Sequence, residues 1–234
     1  MKKANSLRVL NERIVACRLC PRLVAYREKV ARERRRAYRN EEYWGRPLPG
    51  FGDPHAKLLI IGLAPAAHGG NRTGRMFTGD RSGDFLFARL HEAGFANQRE
   101  SKHRGDGLKL RNAYLSATAR CAPPANKPLP SELKNCRPYL EAELDLLEPH
   151  AVLALGKIAF DGFMRMTRER GATVPQERYV FRHGGSYELR GSDKTPQRLF
   201  AVYHPSQQNT QTGRLTPAMY RRVLREVRRF LATA

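Results

Sequence analysis

Acidic residues and long hydrophobic runs are both scarce in this sequence. Only 22 aspartates and glutamates stand against 43 lysines and arginines, so the formal net charge of the 234 residues is +21. No apolar run is long enough to span a membrane, and the first 22 residues lack the continuous apolar core of a secretory signal. These features predict a cytoplasmic protein whose positive field attracts phosphate polyanions. Nucleic acid is therefore the first partner to consider, although a solvated basic surface or an anionic membrane would suit the same composition.

Internal repeats and low-complexity tracts are also absent, which excludes a solenoid or a flexible array. A chain of 234 residues can bury a substantial core but is short for two full domains. We therefore predict one domain over residues 1–234, in which residues 1–50 form a helical and basic N-terminal extension that carries two cysteines. Residues 27–42 are so highly charged that they are predicted to form a surface arm, which either contacts phosphates or is simply solvated.

Short apolar runs alternate with amphipathic segments along the rest of the chain. The predicted strands are 58–62, 114–119, 151–155 and 199–203, and the predicted helices are 82–93, 131–147, 157–168 and 217–231. Continuous apolar strands need cover on both faces, and strands that alternate with helices are joined by right-handed crossovers. The predicted fold class is therefore α/β, a three-layer α/β/α sandwich with a central four-stranded parallel sheet.

Three polar loops follow predicted strands. Their most distinctive segments are Gly-Leu-Ala-Pro-Ala-Ala-His-Gly-Gly at 62–70, Arg-Cys-Ala-Pro-Pro at 120–124 and His-Pro-Ser at 204–206. In open parallel sheets, ligands bind beyond the carboxyl ends of the strands. The sequence therefore predicts a site where these loops converge.

Together these segments resemble the type B, or family 5, enzymes of the uracil-DNA glycosylase superfamily, and the resemblance covers most of the chain. It implies the fold of that superfamily and a monofunctional glycosylase of base excision repair, which flips uracil out of DNA and hydrolyses its N-glycosidic bond. It also implies activity on other deaminated or modified bases such as hypoxanthine. The sequence shows no Ser-His-Asp constellation and no candidate Schiff-base lysine, which favours base release without strand cleavage. We expect a monomer associated with the nucleoid.

The chemistry of base excision suggests roles for three side chains. Phe77 would stack on the flipped base, unless it is a core aromatic. His204 would donate a hydrogen bond to the departing base, unless it is a structural cap at the strand end. Asp80 would orient water or offset the charge of the sugar cation, unless it only caps the following helix.

Two positions depart from the superfamily's pattern. Ala64 stands where uracil specialists generally carry a water-activating Asp or Asn, and Ala117 stands where family 4 enzymes place an asparagine that reads uracil. The departures predict a tolerant pocket, with Asn126 supplying a compensating amide unless it is an ordinary turn residue. Gly62, Gly69 and Gly70 are expected to let the backbone approach base and phosphate closely, unless they only form a flexible turn. The expected catalytic residues are Asp80, Asn126 and His204, and the expected substrate-binding residues are Gly62, Leu63, Ala64, His68, Asn71, Phe77 and Ser206.

The four cysteines form one close pair and two separated positions, Cys17, Cys20, Cys121 and Cys136. In a cytoplasmic protein structural disulfides are disfavoured and metal ligation gains weight. The resemblance implies a structural 4Fe-4S cluster on these four cysteines. Structural zinc is the alternative, although zinc ribbons usually present two close pairs. Either metal would clip the N-terminal segment to the loop after the second predicted strand.

Two other function classes are compatible with parts of the pattern. A metal-clipped module that binds damaged DNA without catalysis would share the charge and the cysteines. A nucleotide-metabolising enzyme could use the glycine-rich first loop for phosphate, but neither a Gly-x-x-x-x-Gly-Lys-Ser/Thr motif nor a dinucleotide fingerprint follows the first predicted strand.

Overall fold

A mixed β-sheet forms the centre of the molecule. In the computed structural model, which describes residues 2–172, 179–191 and 195–234, the strands are β1 (Phe51–Gly52), β2 (Leu58–Gly62), β3 (Ala113–Ala117), β4 (Ala151–Leu155), β5 (Gly185–Glu188) and β6 (Arg198–Val202). Their order across the six-stranded sheet is β1-β3-β2-β4-β6-β5. The inner strands β3, β2, β4 and β6 run parallel. The edge strands β1 and β5 are antiparallel to their neighbours.

The four strands predicted from the sequence are the four parallel strands of this sheet. β2 and β4 have the predicted bounds, and every residue of β2, β3 and β4 is buried, as continuous apolar runs require. The prediction of a four-stranded sheet omitted both edge strands. β1 is only two residues long, and β5 begins with glycine and serine and alternates buried with exposed residues, so neither is a continuous apolar run.

Helices cover both faces of the sheet. They are α1 (Lys2–Ala16), α2 (Pro21–Glu33), α3 (Gly70–Thr73), α4 (Arg81–Glu92), α5 (Pro130–Leu147), α6 (Lys157–Glu169), α7 (Gln207–Gln211) and α8 (Pro217–Thr233). The predicted helices correspond to α4, α5, α6 and α8, with ends that agree to within two residues. Pro217 begins α8 after the Thr216 N-cap, whose side chain accepts from the Met219 amide.

Alternating side chains of the strands enter two separate cores, which makes the molecule a three-layer α/β/α sandwich. On one face, Leu58 and Ile60 of β2 pack with the apolar sides of α4 and α8. On the other face, Leu59 and Ile61 pack with α5 and α6. The predicted fold class is confirmed. In the described part of the chain, no helix is both long and apolar enough to cross a membrane.

The N-terminal extension is more ordered than the sequence indicated. α1 places Leu7 in the core beside α5, and α2 begins directly after Cys20 at Pro21. The predicted surface arm at 27–42 is wrong in its first half, because residues 27–33 belong to α2 and Arg27 is only 2% exposed. α2 contains so many charged residues that its amphipathic pattern is difficult to recognise in the sequence. One of these charged residues is buried.

Candidate active site

A cleft of about 680 Å³ opens at the carboxyl edge of the parallel strands. The first loop, residues 62–80, supplies His68, Gly69 and Asp80 to its wall. Asn126 comes from the loop after β3, and Gln207 comes from the start of α7 after β6. Loops separated by more than a hundred residues in the sequence therefore meet at this edge, as predicted. Tyr26 and Tyr38 also line the cleft; no motif in the sequence singled them out.

Phe77 and His204 face each other at the ends of β2 and β6. Their ring centroids are 5.7 Å apart and the rings are tilted by 34°. Gly62 makes room for the phenyl ring, because a Cβ at Gly62 would lie 2.9 Å from Phe77 Cε2. The role of Gly62 is thus to admit a side chain, whereas the sequence suggested close approach of backbone to ligand. Phe77 has φ +51°, an unusual conformation for a non-glycine residue, which the tight turn imposes.

The imidazole of His204 is held in its neutral form. Burial lowers the pKa of His204 to about 4, since a charged ring would lose its hydration. The residue follows β6 directly, and its backbone carbonyl accepts a hydrogen bond of 2.8 Å from Asn209 Nδ2. Behind the side chain, Gly156 leaves the necessary space, because a Cβ there would approach His204 Cβ to 3.2 Å. At neutral pH His204 can therefore donate one N–H without carrying a charge.

Asp80 is both a helix cap and a residue of the cleft. Its Oδ1 accepts the Gly83 amide at 2.9 Å and caps α4. Its Oδ2 lies against Gly69, where a Cβ would come within 2.0 Å of it. Burial raises the pKa of Asp80, while the amides of Gly83 and Ser82 oppose the rise. The capping function suggested by the sequence therefore uses one carboxylate oxygen and leaves the other at the cleft.

Arg72 ties the two ends of the first loop together. Its Nε donates to the His68 carbonyl at 2.8 Å and its Nη2 donates to the Gly79 carbonyl at 2.7 Å. Its side chain is only 7% exposed and its guanidinium lies 4.0 Å from the ring centre of Tyr38. Sequence reasoning missed this residue because an arginine in a glycine-rich loop gives no local sign of burial.

His68 and Asn71 have different surroundings. Nδ1 of His68 is 3.0 Å from the Tyr43 hydroxyl, and burial, with the nearby Arg35 and Arg72, lowers its pKa. Asn71 is fully buried and its amide donates to the Arg27 carbonyl at 3.2 Å. The structure therefore places Asn71 on the side of α3 that faces α2, whereas His68 lines the cleft.

The remaining predicted substrate-binding residues sit at strand ends and a helix start. The Leu63 carbonyl accepts from Thr118 Oγ1 and from the Ala119 amide, both at 2.8 Å. Ala64 follows it and is partly exposed. Ser206 is the N-cap of α7, where its hydroxyl accepts from the Asn209 amide at 3.4 Å. A capping role thus accounts for Ser206.

The four cysteines come together between α2, α5 and the loop after β3. All are free thiols; Cys20, Cys121 and Cys136 are buried and Cys17 is partly exposed. Cys121 interacts electrostatically with Cys136 and Cys17, and Cys136 interacts also with Cys20 and Cys17. Burial raises the pKa of Cys121 and of Cys136, so thiolates at these positions need positive charge nearby. Among the described residues, no group of three or more His, Cys, Asp or Glu is arranged to hold a metal ion.

Comparison with known proteins identifies the class. The sequence model described as "Uracil DNA glycosylase superfamily" matches residues 49–228, from just before β1 into α8. The chain therefore belongs to the uracil DNA glycosylase superfamily and is an enzyme that hydrolyses N-glycosidic bonds.

Within that superfamily, the chain is similar to type-5 enzymes. It is 53% identical over 217 residues to the type-5 uracil-DNA glycosylase of Thermus thermophilus, covering 92% of this chain and 94% of that protein. It is 49% identical over 228 residues to the type-5 enzyme of Mycobacterium bovis, covering 97% and 82%. Identity to the type-4 enzyme of Sulfurisphaera tokodaii is 24% over 203 residues, covering 86% and 75%. These similarities support the family 5 assignment made from the loop sequences.

Proposed function

We propose that this protein is a monofunctional DNA glycosylase that flips uracil onto the Phe77 ring, at the carboxyl ends of the parallel strands, and hydrolyses its N-glycosidic bond. The observation that carries the proposal is the pairing of the Phe77 ring with the His204 imidazole, with 5.7 Å between the ring centroids, in which the loop that carries Phe77 supplies the Asp80 carboxylate to the cleft three residues later. Excision of a base requires a stacking surface, a donor for the departing anion and a group that handles water or the sugar cation. The three side chains match these requirements.

Phe77 stacks on the extruded base. Stacking of a base on an aromatic side chain contributes about 1–3 kcal/mol. The ring is fixed by the turn conformation at φ +51° and by the space that Gly62 provides. Because the stacking surface is already in place, little conformational entropy is lost when the base enters.

His204 stabilises negative charge on the leaving base. A neutral imidazole donates its N–H to the uracil oxygen, on which charge builds up as the bond breaks, and removal of one such donor typically slows a reaction by about 10²–10³-fold. The low pKa of His204, about 4, keeps the ring neutral over the physiological range. Because the imidazole is uncharged, it does not attract anions electrostatically before negative charge develops on the leaving base.

Asp80 acts on the other side of the bond. With Oδ1 engaged by the α4 amide, Oδ2 remains to accept a proton from water or to offset the oxocarbenium charge. Burial raises the pKa of Asp80 and so makes the carboxylate a better base. Asn126, exposed on the opposite loop, lines the same cleft and can supply an amide to water or base.

The pocket accepts other deaminated bases, including hypoxanthine. Gly62 pairs with Ala117 across β2 and β3, and Ala117 is only 2% exposed. The end of β3 therefore carries a methyl group where family 4 enzymes place the asparagine that reads uracil. Without that polar contact a purine is not penalised by an unpaired amide.

The four cysteines hold a structural 4Fe-4S cluster in this proposal. Cys17, Cys20, Cys121 and Cys136 would hold the cluster, since thiolates are the usual ligands of iron–sulfur clusters. The mutual electrostatic interactions of the four thiols support this, as do two N–H donors aimed at sulfur, from Arg27 to Cys121 at 3.2 Å and from Asn135 to Cys20 at 3.5 Å. When bound, the cluster would cross-link α2, α5 and the loop after β3, and hydrolysis would need no redox chemistry from it.

Single-turnover release of free base tests the proposal. Labelled duplexes with one uracil or one hypoxanthine, and an unmodified duplex as control, are incubated with excess protein and then treated with alkali. We expect strand breaks at the lesion only after alkali, with uracil and hypoxanthine both released. Tight binding without base release would contradict catalysis, and breaks without alkali would contradict the monofunctional mechanism. Gel filtration with and without DNA tests the expectation that the protein acts as a monomer on nucleoid DNA.

A further inference from the structure

Arg27 is buried beside the cysteines without a close carboxylate. The residue is 2% exposed, and its Nη1 donates to Cys121 Sγ at 3.2 Å. The nearest acidic group, Glu28, is 3.8 Å away, is partly exposed and already pairs with Arg18 at 2.6 Å. Within the described residues, the Nε of Arg27 has no hydrogen-bond partner. A buried cation in this position requires a negative partner that the protein side chains do not fully provide.

A second buried arginine interacts with the cysteines. Arg120, next to Cys121 in the sequence, is 1% exposed and pairs through Nη2 with the fully buried Glu143. Its Nε and Nη1 find no partner among the described groups. The Arg120 backbone amide hydrogen-bonds to the Cys136 thiol, and its side chain attracts the same thiol electrostatically.

The fully buried carboxylate of Glu143 pairs with Arg120, whereas among the described residues Arg27 has Glu28 at 3.8 Å and the Cys17 carbonyl, which accepts from its Nη2 at 3.4 Å. Both arginines interact with cysteine sulfur. Four thiolates around an iron–sulfur cluster carry a net negative charge, which would neutralise the excess. Charge near a cluster and hydrogen bonds to its sulfurs are the main determinants of its reduction potential. The unpaired donors of Arg27 and Arg120 thus have the chemistry expected around an anionic cluster.

We infer that Arg27 and Arg120 form a buried cationic shell that compensates the charge of a cluster held by the four cysteines. This inference rests on the proposed cofactor. The shell slows loss of the cluster, and it raises the cluster's reduction potential because positive charge favours the more negative reduced state. Arg27 is a positioning residue in this scheme, since it touches a ligand and not the DNA substrate.

Arg27→Gln tests the shell, with Arg32→Gln as the matched control. Arg32 is an exposed arginine on the same helix, so its replacement removes the same charge at the surface. Each protein is purified anaerobically, its iron, sulfide and zinc are measured, and its visible absorbance is followed during incubation with a chelator. Redox titration gives the reduction potential, and far-ultraviolet circular dichroism reports the fold.

We expect Arg27→Gln to lose visible absorbance at least about 10-fold faster than wild type. Changes of this size are typical when a residue that contacts a metal ligand is replaced. Its reduction potential should shift to more negative values, whereas Arg32→Gln should match wild type in both. Arg27→Lys, which keeps the charge, should recover most of the potential. If Arg27→Gln does not fold, Arg27→Lys provides the test: a potential and a loss rate close to wild type support charge compensation, and a large negative shift despite the retained charge overturns it.

The two proposals fail in different ways. Wild-type protein without iron and sulfide, or with stoichiometric zinc, would overturn the cofactor and with it the shell. A loaded wild-type cluster whose loss rate and potential are unchanged in Arg27→Gln would overturn the shell alone. Equal changes of loss rate and reduction potential in Arg27→Gln and Arg32→Gln would also overturn the shell, because a buried arginine would then have no more effect on the cluster than an exposed one.

Discussion

The side-chain position of Gly69 is occupied by the carboxylate of Asp80. A Cβ built on Gly69 would fall 2.0 Å from Asp80 Oδ2 and 2.8 Å from its Cγ. Space therefore requires a glycine at position 69, because any side chain there would collide with this carboxylate. The first loop thus folds back on itself, and a position eleven residues upstream fixes the carboxylate.

Gly69→Ala should therefore slow base release by displacing the carboxylate. A misplacement of about 1 Å in a catalytic group can cost about 10²-fold in rate, and we expect a loss of that order in single-turnover excision of uracil. DNA affinity should be unchanged, because no phosphate ligand is removed. Gly105→Ala is the control, since the nearest heavy atom to a Cβ there is 3.8 Å away. A wild-type rate in Gly69→Ala would show that the position of Asp80 does not limit excision.

Asp80→Asn and Asp80→Ala separate capping from chemistry. Asparagine is an N-cap as good as aspartate, whereas alanine typically costs about 1 kcal/mol of stability. Both variants lose the carboxylate, so both should lose about 10²–10⁴-fold in excision. Urea denaturation should show Asp80→Asn close to wild type and Asp80→Ala destabilised. Retained excision in Asp80→Asn, with loss only in Asp80→Ala, would mean that Asp80 acts as a cap alone.

Phe77→Ala should weaken catalysis through lost stacking. A contribution of about 1–3 kcal/mol corresponds to about 5–150-fold in kcat/KM. Phe77→Tyr keeps a planar ring and should retain most of the activity. Steady-state excision of uracil from a short duplex measures both. If the alanine and tyrosine variants were equally impaired, the turn conformation at Phe77 and not its ring surface would be the requirement.

His204 should make the protein sensitive to acid. Burial lowers the pKa of His204 from 6.5 to about 4, so between these values the unfolded chain binds a proton that the folded protein excludes. The full contribution to the free energy of unfolding is present above about pH 6.5 and is lost as the pH falls toward 4. Urea denaturation at pH 7 and pH 5 should show a larger loss for wild type than for His204→Gln, because the other histidines are common to both. Equal losses would contradict the lowered pKa.

His204→Gln should also reduce the rate of uracil excision at neutral pH by about 10²–10³-fold, because it removes a hydrogen-bond donor to the transition state. DNA affinity should stay near the wild-type value. A parallel loss of binding and turnover would instead indicate that His204 shapes the end of β6.

Ala117→Asn should narrow the range of damaged bases that the protein releases from DNA. The new amide would lie at the end of β3, opposite Gly62. Release of hypoxanthine should fall relative to release of uracil, and the ratio of their single-turnover rates measures the change. Ala119→Ser, also a buried position shortly after β3, is the control for crowding at this edge. An unchanged ratio would show that side chains other than residue 117 select the base.

The order and type of the main elements follow from the sequence alone. The runs at 58–62 and 151–155 are apolar at every position, and such runs form strands that are covered on both faces, whichever residues cover them. The polar loops after these strands had to lie at one edge, because parallel strands end on the same side. The predictions for β2, β4 and the position of the site therefore depended only on local pattern and on chain geometry. β1 and β5 lack such a pattern, and pairing with β3 and β6 defines them as strands.

The direction of each side chain in those loops was decided only by the tertiary structure. Asn71 and His68 are three residues apart in one polar segment, yet Asn71 turns inward to the carbonyl of Arg27, 44 residues away in the sequence. Arg27 itself lies in a run of charge that indicated a solvated surface, and its burial depends on cysteines that arrive from the loop after β3 and from α5. Hydrogen bonds and charges of this kind are satisfied between distant segments, so their partners exist only once the chain has folded.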